Sequence, residues 1–402
     1  MKQHTKYIAV ALLLMLVGTS TAYAQKVKIG LQSAVTYQAL DQQDDDGALP
    51  EIANGFQNAL GNLIGDFEVF DGGRAHVAMF ISSKHHTEMW GYEGYFEMTK
   101  LPEWMNLGQF GEFYNEHLQL KAGQMTIDYG DGLLYRSING NVYNNDLVGN
   151  PVPSPALTTL GVEGRVNFGP ANLLLGLSNG TTKGDINEGH GTAIHGKAWV
   201  TPLDGKVRLA ASFYTVDHSG NGTGYPNGGT KSYLYAFGDR AGSMYNIWNG
   251  PDGGQLSFGK GQDVFAYQFD GRVDLGRFVL YGAYGSFKDA DTNGTNGEDA
   301  GDPEERWTYA MATARVNLTD WLYVAGRYST AHCGTFNSED ADGRLNRFQV
   351  GAGFFLYKGV LVKAEYVKQT TDGFTDGYVN NRTNLSLNPG FDGFVLQTAV
   401  KL

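Results

Sequence analysis

Three things are scarce in this 402-residue chain, and each scarcity removes a class of protein. A single cysteine, Cys333, leaves no partner for an internal disulfide, which excludes a small disulfide-stapled secreted domain. The strongest apolar run, Ile8 to Val17, falls well short of the roughly 18–20 residues a spanning helix needs, so a helical membrane protein is excluded too. Basic residues are in deficit, 30 Lys and Arg against 42 Asp and Glu, for a net charge of -12. The acidic residues crowd two segments, Asp41 to Asp66 and Asp291 to Glu305, and such a surface repels nucleic acid. There is also no phosphate-cradling glycine loop and no zinc-ligand spacing, and we expect no enzyme and no catalytic residue.

What is abundant is alternation. Val27, Ile29, Leu31 and Val35 share one parity while Lys28, Gln32 and Thr36 share the other; Phe394, Leu396, Val400 and Leu402 alternate with Gln397 and Lys401 in the same way. Neighbouring side chains on a strand face opposite sides of the sheet, so each segment has one apolar and one polar face. The chain also holds 56 glycines and 13% aromatics. A transmembrane barrel needs apolar residues on its outer face only, aromatics for two interfacial girdles and glycine where backbones pack closely. The N-terminus reads as an export signal: Lys2 and Lys6, then the apolar run, then Ala22-Tyr23-Ala24 as a small-x-small cleavage site. We therefore expect a signal peptide over 1–24 and an outer-membrane β-barrel over 25–402, in a Gram-negative-type envelope.

The fold class expected is all-β, a transmembrane antiparallel β-barrel. The pattern predicts strands at 26–38, 67–82, 87–98, 105–114, 118–127, 157–168, 171–179, 192–201, 207–217, 262–273, 278–289, 305–317, 321–331, 344–356, 360–370 and 392–402. That makes about sixteen, an even number as bacterial single-chain barrels have, with eighteen as the alternative if Tyr233-Leu234-Tyr235 forms a further hairpin. Short turns follow even strands and long loops mostly follow odd ones, with 99–104 as the exception. Long extracellular loops on one rim and short periplasmic turns on the other is the outer-membrane arrangement. In the first loop, Ile52, Phe56, Leu60 and Ile64 recur at helical spacing after Pro50 and suggest a short amphipathic helix.

Three segments carry a resemblance. Leu118 to Gly130 (LQLKAGQMTIDYG), Leu361 to Gln369 (LVKAEYVKQ) and Gly393 to Leu402 resemble strands of bacterial outer-membrane porins, loosely the phosphate-selective porin O and P group. The resemblance implies a porin that passes small hydrophilic solutes by diffusion, usually as a homotrimer. The chain departs from it in ending on Leu402 where an aromatic is usual, and in lacking one dense lysine and arginine cluster. Phosphate selectivity is therefore not carried over.

Once a barrel is accepted, charges belong on the lumen face, because each costs about 2–4 kcal/mol against lipid near the midplane. The pore-lining candidates are Arg74, Lys121, Arg136, Arg165, Lys197, Arg208, Arg272, Arg327, Arg347 and Lys363, with His76, Glu93, Glu97, Glu163, Asp270 and Glu365 on the same faces. They are either a basic arc favouring anions or a network of ion pairs bracing the wall. The long segment Tyr129 to Pro155 carries Leu133, Leu134, Tyr135 and Val148. Its apolar residues favour folding inward as a constriction, with Arg136 and Asp131 near the eyelet. Asp289, Asp291 and Asn293, followed by Gly294, give D-x-D-x-N-G, the opening of a calcium loop, though Ala300 stands where the bidentate glutamate belongs. No other cofactor is expected. The alternatives to a weakly anion-selective porin are a barrel hydrolase and a surface-binding barrel with a blocked lumen.

Overall fold

The computed structural model describes residues 26–402 except 44–48, 50, 83–85, 106, 138–140, 153–154, 181–191, 217–233, 235–243, 248–253, 255–262, 291–303, 337, 375–378, 381–382 and 385–388. Sixteen antiparallel strands close into a barrel. They are β1 (Val27–Gln43), β2 (Gly55–Phe70), β3 (Gly73–Ser82), β4 (His86–Met98), β5 (Leu118–Thr126), β6 (Thr158–Phe168), β7 (Ala171–Ser178) and β8 (Ala193–Val200) in the first half. The second half holds β9 (Val207–Val216), β10 (Asp263–Asp274), β11 (Phe278–Ala290), β12 (Glu305–Asn317), β13 (Leu322–Phe336), β14 (Glu339–Tyr357), β15 (Val360–Asp372) and β18 (Gly390–Lys401). Two short strands, β16 (Val379–Asn380) and β17 (Thr383–Asn384), pair with each other off the barrel wall. Every neighbour in sequence pairs in space, and β18 joins β1 with Gln32 opposite Lys401 to complete the ring. The terminal Leu402 bonds through its backbone N–H to Leu31 O at 2.8 Å.

The sidedness is that of a membrane barrel. Outward residues of β7 and β18 are large and apolar yet open: Leu173 is 47% exposed, Leu175 54% and Phe394 65%. The polar positions between them, Asn172, Ser178 and Gln397, are buried toward the inside. A water-soluble sheet has the opposite pattern, so the exposed band is a lipid-facing surface. No helix among the described residues is long and apolar enough to cross a membrane, which leaves the strands to do so.

Three sequence expectations are corrected. The segment 52–64 is not a helix: Leu60 and Ile64 lie on β2 and face Ala78 and Phe80 inside the barrel. A spacing of four is a multiple of two, so it marks one face of a strand as well as one face of a helix. The span 67–82 is two strands, β2 and β3, turning at Asp71-Gly72 with Gly72 at φ 88. The expected strand at 105–114 is instead helix α1 (Gln109–His117), with Gly111 and Tyr114 on its buried side. One strand gained and one lost leave the total at sixteen.

Loops still sort by rim. Short turns at 71–72, 169–170, 275–277 and 358–359 share one rim with Lys26 and Leu402, and α1 sits there as the one long connection. Long connections at 127–157, 217–262 and 373–389 share the other. The expected loop 332–343 is mostly strand, since β13 and β14 run on to pair Phe336 with Glu339.

Candidate functional site

The connection from β5 to β6 does not lie on the surface. Ile127 donates to Leu157 O at 2.9 Å, closing the neck of the loop, and Tyr129, Val142, Leu147, Val148 and Val152 are all buried. Irregular backbone in a dry interior leaves its carbonyls and amides without partners unless side chains supply them. Here the β13–β15 wall supplies them. Lys363 Nζ donates to Val142 O at 2.9 Å, Asn145 O at 3.2 Å and Leu147 O at 2.9 Å, matching the three donors of an ammonium to three carbonyls. Arg327 donates to Gly149 O at 2.8 Å and Asn145 Oδ1 at 2.7 Å. Arg347 donates to Asn150 O at 2.5 Å, to Gln369 Oε1 at 2.8 Å and to Gly254 O. Glu365 works in the other sense, accepting from the backbone N–H of Val148 at 2.7 Å and of Gly149 at 3.2 Å, and from the Tyr245 hydroxyl. Gly149 is required there, because a Cβ would overlap the Tyr245 ring.

The opposite wall grips the first part of the loop. Asp131, one residue before the helical turn Gly132–Tyr135, accepts two bonds from Arg208, at 2.7 and 2.8 Å, and lies 2.8 Å from Lys197 Nζ. Burial works against the Asp131 charge, but the Arg208 hydrogen bonds and the Lys197 charge outweigh it and hold the carboxyl below its ordinary value. Lys197 also donates to Asp128 at 2.6 Å and Gly130 O at 2.9 Å. Behind it, Glu163 accepts from the Asp128 N–H at 3.2 Å and is met by His195 at 3.0 Å and Lys121 at 3.4 Å. A third grip joins Arg315 on β12 to Asp146 at 2.7 Å. The loop is thus strapped across the lumen between two walls.

The ten candidate cations fall into two groups. All stand on the lumen side, in the wall or, for Arg136, in the loop. Lys197, Arg327, Arg347, Lys363 and Arg136 are buried at 3% exposure or less, and the first four are committed to protein by the bonds given above. The others keep some contact with the lumen. Arg74 pairs with Asp66 at 3.1 Å and Glu97 at 2.5 Å. Lys121 stands over Tyr95, and Arg208 stands over Trp199 while bonded to Asp131. Arg272 bridges Asp274 at 2.7 Å and the Tyr135 ring at 4.8 Å. Arg165 differs: it bonds Asn172 at 2.9 Å and lies 4.6 Å over the Trp199 ring, and it makes no ion pair among the described residues.

Sequence reasoning did not find Trp199, Asn145, Tyr245 or the Arg315–Asp146 pair. Trp199 sits on the lumen parity of β8 with Lys197, and that position was the available signal. The calcium expectation is only partly within the described residues. Asp289 lies buried on the inner side of β11 opposite Glu305, while Asp291 and Asn293 lie outside the described residues. Among the described residues no group of three or more His, Cys, Asp or Glu is placed to hold a metal ion. Toward the long-loop rim the interior is apolar, with Ile127, Val152, Leu157, Phe287, Trp307 and Phe374 in one cluster.

No family model matches the chain, and no curated protein matches it. Solved structures match in fold. In-vitro folded OmpT, an outer membrane protein of Vibrio cholerae, aligns with a TM-score of 0.55 at 12% identity over 95% of this chain and 99% of its own. The outer membrane channel DcaP of Acinetobacter baumannii gives 0.55 at 10% identity over 95% and 99%. The anion-selective porin from Comamonas acidovorans gives 0.55 at 10% identity over 94% and 100%. At such identities the likeness concerns architecture, and the class it defines is the porin-like transmembrane β-barrel. The narrower likeness to phosphate-selective porins gains nothing from these matches.

Proposed function

We propose that this protein is an outer-membrane porin through which small hydrophilic solutes diffuse passively, with loop 127–157 setting the narrowest section. The observation that carries this reading is the strapping of that loop: four buried charged side chains on β13–β15 and two on β8–β9 are committed to its backbone and to Asp131. A surface flap would need none of them. No side chain in this reading is a catalyst; His195 and Glu163, the most enzyme-like pair, are both buried and serve the loop neck. Export by a cleaved signal over 1–24, a lipid environment and a homotrimer belong to the same proposal; one OmpT structure is described as a trimer form.

Selectivity follows from pairing. Of the five cations that keep contact with the lumen, Arg74, Lys121, Arg208 and Arg272 are each paired with a carboxylate, so the anion preference is weak and rests chiefly on Arg165. Ion flux across a planar bilayer tests the function, with discrete conductance steps expected. A second reading, a barrel closed at its long-loop end that works as a surface-binding protein, is favoured by the apolar cluster around Phe287 and Trp307 inside the lumen. It predicts correct insertion without conductance.

A further inference from the structure

At the short-turn rim, outside the barrel, the chain builds a groove that the lumen does not explain. Its volume is about 920 Å³, and Val69, Phe70, Leu101, Trp104 and Leu107 form its apolar lining. Backbone bonds hold its shape. Thr99 donates to Gly72 O at 2.7 Å and Met105 to Pro102 O at 2.8 Å, and Leu101 donates to the Asn115 side chain at 2.8 Å. Trp104 is nevertheless 78% exposed, and Phe110 and Leu107 more than half. A rigid apolar patch of this kind marks an interaction surface.

We propose that the groove seats an acyl chain of a phospholipid in the leaflet at this rim, with α1 lying in the membrane interface. The proposal rests on the barrel fold and is independent of conduction. Continuity with the lipid-facing wall identifies the occupant. Phe113 of α1 lies 6.5 Å from Phe168, an outward residue of β6, and Val69 is an outward residue of β2. Lipid covering Val69 therefore reaches the groove directly, and lipid covering Phe168 meets Phe113 on the helix whose Gly111 and Glu112 line it. The rest of the lining is polar: Asp71, Lys100, Glu103, Glu112 and Asn115 form a charged edge, with Glu103 and Glu112 exposed and Lys100 paired with Asp71 at 2.9 Å, and that edge suits the headgroup and water side. An interfacial helix places its apolar face about 5–10 Å into the headgroup and acyl boundary.

Site-directed spin labelling tests this in the full chain, reconstituted in phosphatidylcholine vesicles. A nitroxide is placed at Leu107→Cys in a Cys333→Ser background, with Leu175→Cys as the lipid control and Glu116→Cys as the water control. Met105→Cys reports on the same groove if the first variant fails to fold. Collisions with oxygen should exceed those with a water-soluble nickel chelate at position 107, giving a depth of about 5–10 Å. Nickel access at 107 equal to that at 116 would overturn the proposal, since the groove would then hold water. Exclusion of both reagents would overturn it as well, since a second copy of this chain or another protein would then cover it.

Discussion

Lys363→Met keeps the unbranched stem of the side chain, one atom shorter, and removes the three donors that hold Val142 O, Asn145 O and Leu147 O. Each buried acceptor left without a partner costs about 1–3 kcal/mol. Val142 O keeps the Asn145 N–H at 3.4 Å, and losing the partners of Asn145 O and Leu147 O would cost about twice that if the interior stayed dry. Water can enter from the lumen and serve most of them, and the buried charge itself is no longer there to desolvate, so the net loss should resemble one unsatisfied acceptor. A loss of about 1.4–2.8 kcal/mol raises the undocked population of the loop about 10- to 100-fold. The barrel wall should be unaffected, because Lys363 pairs through its backbone with Gln397 and Gly353 as before. Hydrogen exchange of the amides of Val142 to Gly149 reads the change, with strand amides of β14 as the internal reference. The reasoning is refuted if Lys363→Met leaves loop protection at the wild-type level, or if protection falls equally in loop and strand.

Other expectations follow from the same straps. Asp131 has a depressed carboxyl value in the folded state, so its contribution to docking is fully present above the unfolded value of about 3.9 and is lost as pH falls through the lower folded value. Arg208→Gln should move acid release of residues 128–136 to higher pH, seen by hydrogen exchange across a pH series. Gly149→Ala should drive the Tyr245 ring away from Glu365 and cost about 1–3 kcal/mol, as overpacking does, read as earlier protease cleavage of the loop. Arg165→Gln should shift the reversal potential in a salt gradient toward cations, while Arg347→Gln, buried against Asn150 and Gly254, should change loop protection more than selectivity.

Much of the fold was legible because lipid demands the same thing of every strand. Fifteen of the sixteen barrel strands are matched by segments read from alternation, and the lumen parity placed Arg327, Arg347 and Lys363 on the inner face. The misreadings have physical reasons. Asp71-Gly72 between alternating runs is a hairpin signal that a single long strand passed over. Phe110, Phe113 and Tyr114 have the spacing of a helix face, and that spacing marked α1. What alternation cannot express is which inward charges meet solvent. Parity says that Arg347 and Arg165 both face in; only the path of loop 127–157 makes one a buried clamp and leaves the other over Trp199. The pairing of Lys363 with carbonyls more than 200 residues away leaves no local trace at all.

Conductance of the purified protein in a planar bilayer, wild type beside Lys363→Met, addresses the central claim directly. A loop strapped across an open lumen predicts discrete, steady steps for the wild type and noisier or larger ones once the strap is cut. A wild-type barrel that inserts fully yet passes no current would contradict the account and leave a closed, surface-binding barrel in its place.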